Sequence, residues 1–402
     1  KALIVGGNTT EAGSASNSLT HYVSRELVRS GYLPVVVSRS PETSEPNQFI
    51  VPTENREEWR ARLEKTSFIA QSDNQTLQEI LGELEDIAVV VNLSPKKTDT
   101  AELLELSESW KLDRFVYLSS LQVYGADHYL ECTEDSEWSD TVMRSEEVFT
   151  NKAEWRASEK MLKESKVPHT ILRSGYIMGP HMSNNSIENW FFKRHYYELP
   201  ICIPGHGQFL VGLVHEQDVA AAVNLALKSS KAAGQAFNLQ GGSITLDGLA
   251  WETGKVCDRK FEPISDEEAY IIHYDERQFI ASMNRRHQWP VPVHGHCFAS
   301  TEKAKKILKW KPEFTNATSI LADSYLWDGR VWKEELEKKY QRDQAKARFR
   351  FKMRDYMMDS MVLENPHKHV AQEWVMPIIT AVRELGSPDE LWLDSGKTWK
   401  WE

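Results

Sequence analysis

The opening 39 residues constrain the fold of this chain more than any other stretch. An apolar run over residues 2–5 is followed by Gly6, Gly7 and Asn8, then by a run of helical periodicity over about residues 19–30 and a second apolar run. Strand, glycine turn, helix and strand, in that order, form the first βαβ unit of a nucleotide-binding sheet. We therefore predict that the chain begins as a Rossmann-like, doubly wound α/β sheet.

The glycine turn itself is interrupted. Gly6, Gly7 and Asn8 could let backbone amides and a helix N-terminus face a phosphate. Ten small and polar residues, 9–18, separate this turn from the helix, so a tight turn without a ligand stays open as an alternative. Arg39, at the tip of the second strand, suits the 2′-phosphate of NADP better than the 2′-hydroxyl of NAD. Its alternative is an ordinary solvated charge.

Composition describes an ordinary globular protein without a membrane span. Of 402 residues, 41% are hydrophobic and 27% charged, and the net charge is -11. No apolar run reaches the roughly 20 residues that cross a bilayer. The four cysteines form no CxxC pair, which indicates reduced thiols. Any targeting peptide is expected to precede Lys1, because the numbering starts directly on a core strand.

Two further segments lie where ligands bind in open α/β sheets. The buried strand over 114–120 ends in Ser119 and Ser120 and runs into Leu121-Gln122-Val123-Tyr124-Gly125, and residues 171–180 read ILRSGYIMGP around Arg173. Both resemble segments of the extended short-chain dehydrogenase/reductase superfamily. The resemblance implies that Ser119, Tyr124 and Arg173 line the cofactor cleft. A buried structural ion pair is the alternative for Arg173.

The same resemblance exposes a missing catalytic pair. Oxidoreductases and epimerases of the superfamily carry a Tyr-x-x-x-Lys pair on the helix before residues 171–180, with the tyrosine moving the proton. When the helix is anchored on Glu159, the tyrosine position falls on Asn151 and the lysine position on Trp155. An amide cannot act as the acid–base group, and an indole carries no cation. We therefore predict that this chain does not catalyse hydride transfer or sugar epimerisation.

Segments in the second half narrow the resemblance. The chain reads WFF at 190–192 and FASTEKAKKILKWKPEF at 298–314. In order, these segments are similar to the chloroplast stem-loop binding protein family, an atypical branch of the superfamily, over about residues 2–330. That resemblance implies a soluble or peripherally attached plastid protein that binds structured RNA, cuts stem-loops with a divalent metal ion and joins large ribonucleoprotein assemblies.

The expected domain organisation follows from where the resemblance ends. Residues 1–333 form one atypical reductase-like domain, with a Rossmann core over about 1–180 plus later segments and a small lobe over about 181–330. Residues 334–402 form a C-terminal extension in which basic residues alternate with aromatics and methionines. We expect this arm to dock on a protein partner, since aromatics and Met concentrate at interfaces. Packing back onto the parent domain is the alternative.

Clustered basic residues are the candidates for RNA contact. They could neutralise phosphates locally despite the acidic average, and the alternative is a set of solvated helix faces. The candidates are Arg285, Arg286, Lys303, Lys305, Lys306, Lys309, Arg348 and Arg350.

No metal ligand is assigned. The acidic residues between 131 and 137 are typical of a solvated loop, and the pair His294 and His296 supplies only two ligands. Three function classes stay open: a plastid RNA-binding protein with or without metal-dependent endoribonuclease activity, a non-catalytic subunit of a large plastid complex held by its arm, and an NADP oxidoreductase. Asn151 and Trp155 disfavour the third.

Overall fold

The computed structural model describes residues 1–6, 17–38, 51, 53–72, 74–125, 131–139, 152–180, 187–196, 201–204, 207–257, 271–274 and 296–325. The strands are β1 Ala2–Val5, β2 Pro34–Ser38, β3 Ser67–Ala70, β4 Val89–Asn92, β5 Arg114–Ser120, β6 His169–Ser174, β7 Tyr176–Met178, β8 Ile201–Pro204, β9 Leu210–His215, β10 Gln235–Leu239, β11 Gly242–Thr245 and β12 Ile271–Tyr274. The helices are α1 Asn17–Arg29, α2 Arg56–Lys65, α3 Leu77–Leu81, α4 Lys97–Ser107, α5 Lys152–Glu164, α6 Ile187–Tyr196, α7 Glu216–Lys228 and α8 Leu246–Val256. Residues 317–325 are also helical.

A seven-stranded parallel sheet organises the chain, in the order β10-β6-β5-β4-β1-β2-β3. The chain starts at β1, moves outward through β2 and β3, and returns to β4 on the other side of β1. This reversal opens a crevice at the carboxyl ends of β1 and β4, which is where ligands bind in open α/β sheets. The predicted doubly wound Rossmann-like fold is confirmed.

Two apolar layers cover the faces of this sheet. Val89 and Val91 of β4 belong to the layer that includes residues of α1 and α7, and Val90 belongs to the layer that includes residues of α3, α4 and α5. Successive side chains of a strand point to opposite faces. A strand covered on both faces therefore reads as a continuous apolar run, as β4 does.

A smaller lobe is built from segments that lie on both sides of β10 in the chain. The three-stranded sheet β11-β9-β7 and the two-stranded sheet β12-β8 form its β structure. Its core includes Phe191 and Phe192 of α6, with Leu249 of α8 and Ile320 of the last described helix. The WFF run is thus a packing element of the lobe.

The segment over residues 298–314 is fixed onto the start of α7. The indole Nε1 of Trp310 donates to the carbonyl oxygen of Asp218 at 2.9 Å, and Trp310 is fully buried. The carboxylate of Asp218 accepts from the backbone amides of Glu313 at 2.7 Å and Phe314 at 3.0 Å. His215, at the end of β9, stacks on the ring of Phe314 with 3.8 Å between ring centroids. The segment is therefore held at several points.

Among the described residues, no helix combines the length and apolarity that crossing a bilayer requires.

Candidate functional site

Gly6 shapes the crevice at the end of β1. Its φ is +93°, a conformation that L side chains rarely adopt, and a Cβ at this position would collide with the backbone and side chain of Ser94. Ser94 follows β4, so the absent side chain lets β1 and β4 close on each other at the carboxyl edge. Gly7, Asn8 and Arg39 lie outside the described residues, and their role in cofactor binding stays a prediction.

The carboxyl ends of β5 and β6 carry a buried ion pair. Arg173 of β6 donates to both carboxylate oxygens of Glu159 on α5, at 3.0 and 2.7 Å. Both side chains are almost completely removed from solvent. Burial alone would lower the pKa of Arg173, but hydrogen bonds with Glu159 and Tyr124, together with the charge of Glu159, raise it above its ordinary value. Arg173 is therefore a fixed cation with its main partner inside the protein.

The three predicted cleft residues of the described chain meet at this pair. Ser119 donates to Glu159 at 2.7 Å, and Arg173 donates to the Tyr124 hydroxyl at 2.7 Å. Tyr124 in turn donates to the side-chain oxygen of Asn238 at 2.7 Å. The structure thus brings Ser119, Tyr124 and Arg173 together, in hydrogen bonds to one another or to Glu159. This geometry is that of the structural ion pair, the alternative that the sequence left open for Arg173.

The loop with the acidic residues between 131 and 137 contacts this network. Glu134 accepts from the backbone amide of Asn238 at 2.8 Å, and its own carbonyl oxygen accepts from Arg173 at 3.4 Å. The Trp138 ring lies 5.2 Å from the guanidinium of Arg156 and 5.0 Å from the ammonium of Lys163. At least one acidic residue of the loop therefore has a structural role. In the part of the chain that the structure describes, no group of three or more His, Cys, Asp or Glu residues could hold a metal ion.

Trp155 lies at the position to which the alignment anchored on Glu159 assigns the superfamily's catalytic lysine. It lies four residues before Glu159 on α5 and is buried within the apolar layer formed by α3, α4 and α5. Its indole fills space there and offers no cation to a nicotinamide ribose or to a phenol. Asn151, at the tyrosine position, lies outside the described residues.

Four tyrosines near the sheet keep their hydroxyl protons near neutral pH. Burial raises the pKa of Tyr22, Tyr117, Tyr124 and Tyr176, in the case of Tyr124 to about 12. The side-chain amide of Gln122 donates to the Tyr176 hydroxyl at 3.3 Å. A general acid–base works best with a pKa near the working pH. These four phenols therefore do not replace the missing pair.

Sequence reasoning missed a polar chain between β4 and α5. Asn92 donates to Thr100 at 3.0 Å, and Thr100 donates to Ser158 at 3.0 Å, one turn from Trp155. Ser94 donates to Asp99 at the start of α4. The available signal was the run of polar residues directly after a continuous apolar strand. These groups bond to one another beneath the cleft, where they fix the β4–α4 junction.

The predicted lysines lie on the segment that Trp310 anchors. Lys305, Lys306 and Lys309 are exposed, and Lys303 is half-buried with its ammonium 5.4 Å from the centre of the Phe237 ring. Lys305 pairs with Glu302 at 2.9 Å. The segment is a single π-type turn, Ala304–Leu308, where the sequence predicted an α-helix. Arg285, Arg286, Arg348 and Arg350 lie outside the described residues, and RNA contact stays a prediction for all eight positions.

Comparisons with known proteins match the chain to a family model and to a chloroplast relative. The family model described as the NAD dependent epimerase/dehydratase family matches residues 21–239. The chain is 29% identical over 332 residues to the chloroplast stem-loop binding protein of 41 kDa b of Arabidopsis thaliana, covering 82% of this chain and 79% of that protein.

Solved structures show the same fold. The UDP-glucuronic acid 4-epimerase of Bacillus cereus, in complex with UDP-glucuronic acid and NAD, superposes with a TM-score of 0.60 at 18% identity, covering 82% of this chain and 100% of that one. The dTDP-glucose 4,6-dehydratase of Bacillus anthracis, in complex with NAD, gives 0.60 at 15% identity, covering 83% and 97%. At these identities the likeness concerns the fold alone.

Proposed function

The chain belongs to the NAD dependent epimerase/dehydratase family, and from that premise we propose that it is a plastid RNA-binding member without the family's proton-transfer chemistry. The relative from Arabidopsis is named for stem-loop binding and for the chloroplast. The observation that carries the proposal is the anchored segment with its exposed lysines, 303–311. It presents concentrated positive charge on a chain whose net charge is -11.

This segment is suited to phosphate binding because it is held before any ligand arrives. Trp310 and Phe314 fix one end of it through Asp218. Lys306, Lys309 and Lys311 project from a backbone that is already ordered, so binding orders only their side chains. Preorganisation of this kind lowers the entropic cost of association. Lysines neutralise phosphates without reading sequence, which suits a protein that recognises RNA by shape.

The oxidoreductase or epimerase alternative is disfavoured because the Tyr-x-x-x-Lys motif assigns its tyrosine and lysine to other residue types. Trp155 stands at the lysine position, Asn151 at the tyrosine position, and the four buried phenols have raised pKa values. Ser119 and Tyr124 are engaged with Glu159 and Arg173. These observations support a fold that holds a ligand and does not convert a sugar nucleotide.

A dinucleotide role without turnover is a second proposal, favoured by Gly6. Its positive φ lets the backbone turn tightly directly after β1, where the phosphate-binding turn of a dinucleotide-binding sheet lies. The pyrophosphate would lie against Gly6, Gly7 and Asn8, and Arg39 would select NADP. Denaturing the purified protein and measuring released nucleotide by chromatography tests this. Stoichiometric NADP supports it, and a nucleotide-free protein that also fails to bind added NADP contradicts it.

Cleavage of the bound RNA is a separate proposal, taken from the resemblance. A divalent metal ion would activate the attacking nucleophile and stabilise the leaving oxygen. The described ranges hold no group of three or more candidate metal ligands. Incubating labelled stem-loop RNA with Mg²⁺ or EDTA tests this. Metal-dependent fragments support cleavage, and intact RNA in both samples contradicts it.

Membership of a larger plastid assembly through residues 334–402 is the proposed alternative role. A version truncated after Tyr340 tests it in plastid extract by size-exclusion chromatography. Elution of the full chain with a large particle, and of the truncated chain as a free protein, supports the docking arm. Identical elution of both contradicts it.

The RNA-binding proposal is tested by fluorescence anisotropy with a labelled stem-loop RNA. We expect tight binding near 50 mM salt and a loss of affinity of at least about tenfold near 200 mM, because phosphate contacts release counterions. Absence of binding at the lower salt concentration would contradict the proposal.

A further inference from the structure

We infer that the paired stem of an RNA, and not its unpaired bases, binds to a composite lysine face assembled from two distant parts of the chain. The inference rests on the proposed RNA-binding function and adds where the RNA lies and which part of it is held. The lysine face comprises Lys228, Lys231, Lys303, Lys305, Lys306, Lys309 and Lys311.

Packing brings the two parts together. The π-type turn Ala304–Leu308 packs against α7 and against the short 3₁₀ turn Ser230–Ala232, which follows the end of α7. Ala226, Ala232 and Leu308 lie in one apolar layer beneath them. Lys228 ends α7 and Lys231 lies in the 3₁₀ turn, and both are exposed. The sequence analysis assigned neither residue to RNA, because both lie far from the 303–311 segment along the chain.

The backbone under this face contains one strained residue. Lys309 has φ +60° and ψ +27°, the left-handed conformation that usually ends a helix at glycine or asparagine. Its amide donates to the carbonyl of Ala304, which closes the turn. Glycine would fit this position with less strain. A lysine here costs stability, and what it adds is an exposed ammonium next to Lys306.

The chemistry of the face fits a phosphate backbone better than exposed bases. Proteins that hold single strands stack bases on exposed aromatic rings. Among the described residues, the exposed large hydrophobic side chains are Leu33 and Trp251, and neither belongs to the segments of this face. The described segments of this face thus present lysines without an exposed large aromatic ring, which suits phosphates, and the paired stem presents phosphates at regular spacing. The stem is therefore the occupant that the charge pattern favours.

The lysine face is distinct from the cleft at the carboxyl edge. Phe237, under Lys303, packs in the layer formed by α1 and α7. Tyr124 and Trp155 pack in the opposite layer, next to the Glu159–Arg173 pair. RNA on the lysine face would leave the cleft accessible, so a dinucleotide and RNA are expected to bind independently.

The test compares two triple variants of the full chain. One variant, with Lys231→Gln, Lys306→Gln and Lys309→Gln, removes three positive charges from the lysine face. Lys65→Gln, Lys111→Gln and Lys160→Gln remove the same charge from exposed positions elsewhere. Lys65 ends α2, Lys111 precedes β5, and Lys160 lies on α5 over the opposite face of the sheet. The probes are a fully paired RNA hairpin and an unstructured RNA of equal length.

For the hairpin, we expect the lysine-face variant to bind about tenfold or more weakly at low salt, with a slope of log Kd against log salt that is shallower by about three. The control variant should retain nearly the affinity and slope of the original chain. Equal binding by all three proteins would overturn the inference and leave RNA binding itself intact. Failure of the original chain to bind either RNA would overturn the proposed function, and this inference with it. Tighter binding of the unstructured RNA would overturn the assignment to the stem.

Lys309→Gly separates a lost contact from a lost fold. It removes the ammonium and relieves the left-handed strain, so we expect weaker hairpin binding with an equal or higher Tm. Weaker binding accompanied by a lower Tm would assign the loss to unfolding and overturn the role of Lys309.

Discussion

The carboxyl edge of β5 and β6 and the lysine face use charge in opposite ways. At the edge, Arg173 is buried and its guanidinium is satisfied by Glu159 and Tyr124. On the lysine face, Lys306 and Lys309 are exposed on a segment that other residues hold in place. The first arrangement contributes to the native state and leaves little charge for a ligand. The second contributes little to stability and keeps its charge available for phosphates.

Under the proposed function, the cleft serves as a scaffold and not as a catalytic centre. The position before Glu159 on α5 that would carry a lysine holds a core tryptophan, Trp155. The polar groups around it bond to one another. The exposed lysines proposed to meet RNA lie on a segment that packs in the layer formed by α1 and α7. Variants on the two sides should therefore separate stability from RNA affinity.

Arg173→Met should have the largest effect. It leaves the carboxylate of Glu159 buried beside Ser119 and a partly exposed Lys163. Removing one partner of a buried ion pair costs about 3–5 kcal/mol. Urea unfolding followed by circular dichroism measures the loss. The double variant Arg173→Met with Glu159→Gln should recover part of it, because no unpaired charge is left, and a full additive loss would contradict the pairing.

Gly6→Ala should come next. The alanine must adopt a φ of +93° and its Cβ collides with Ser94, so we expect a loss of about 2–3 kcal/mol. Gly31→Ala is the matched control, since φ there is +85° but nothing lies within 4 Å of the added Cβ. Only the strain of the left-handed conformation remains at that position, worth about 1 kcal/mol. Equal melting temperatures for the two variants would show that β1 and β4 do not close at Gly6.

Trp310→Phe should have a smaller effect on stability and a visible effect on binding. The change removes the hydrogen bond from the indole to the carbonyl of Asp218, which contributes about 1–2 kcal/mol. Because Trp310 anchors the lysine segment, hairpin affinity should fall as well. Trp251→Phe, at an exposed position on α8, is the control and should change neither quantity. Unchanged affinity in Trp310→Phe would mean that a rigid lysine segment is not needed for binding.

Lys309→Gly should have the smallest effect on the free energy of unfolding. Unlike the other variants, it should raise that free energy. Relief of the left-handed strain is partly offset by the greater backbone freedom of glycine, which leaves a gain of about 0.5 kcal/mol. Differential scanning calorimetry at low salt measures it. A clear loss of stability would contradict the strained conformation at Lys309.

Strands of the large sheet were predictable because burial on both faces leaves a continuous apolar run. The run over residues 114–120 coincides with β5, and the first βαβ unit lies where the pattern places it. Helix bounds were less accurate. The sequence pattern over residues 101–110 predicts a helix there, whereas α4 begins at Lys97, after a residue that makes no side-chain cap. The pattern over residues 214–223 predicts a helix from its first residue, but His215 ends β9 and caps α7.

The candidate site was predictable only as far as local motifs reach. Ser119, Tyr124 and Arg173 follow from their motifs, and Glu159 served only to anchor the alignment. Asn238 and Glu134 were missed because they enter the network from distant segments. Lys228 and Lys231 were missed for the same reason, because no local sequence pattern shows that α7 contacts residues 304–308.

The salt dependence of hairpin binding shows whether the lysine face contacts RNA phosphates. Log Kd is measured against log salt for the original chain and for the variant with Lys231, Lys306 and Lys309 each changed to Gln. The account predicts a steep slope for the original chain and one shallower by about three for the variant, since each lysine replaces about one counterion. Two equal slopes would contradict it.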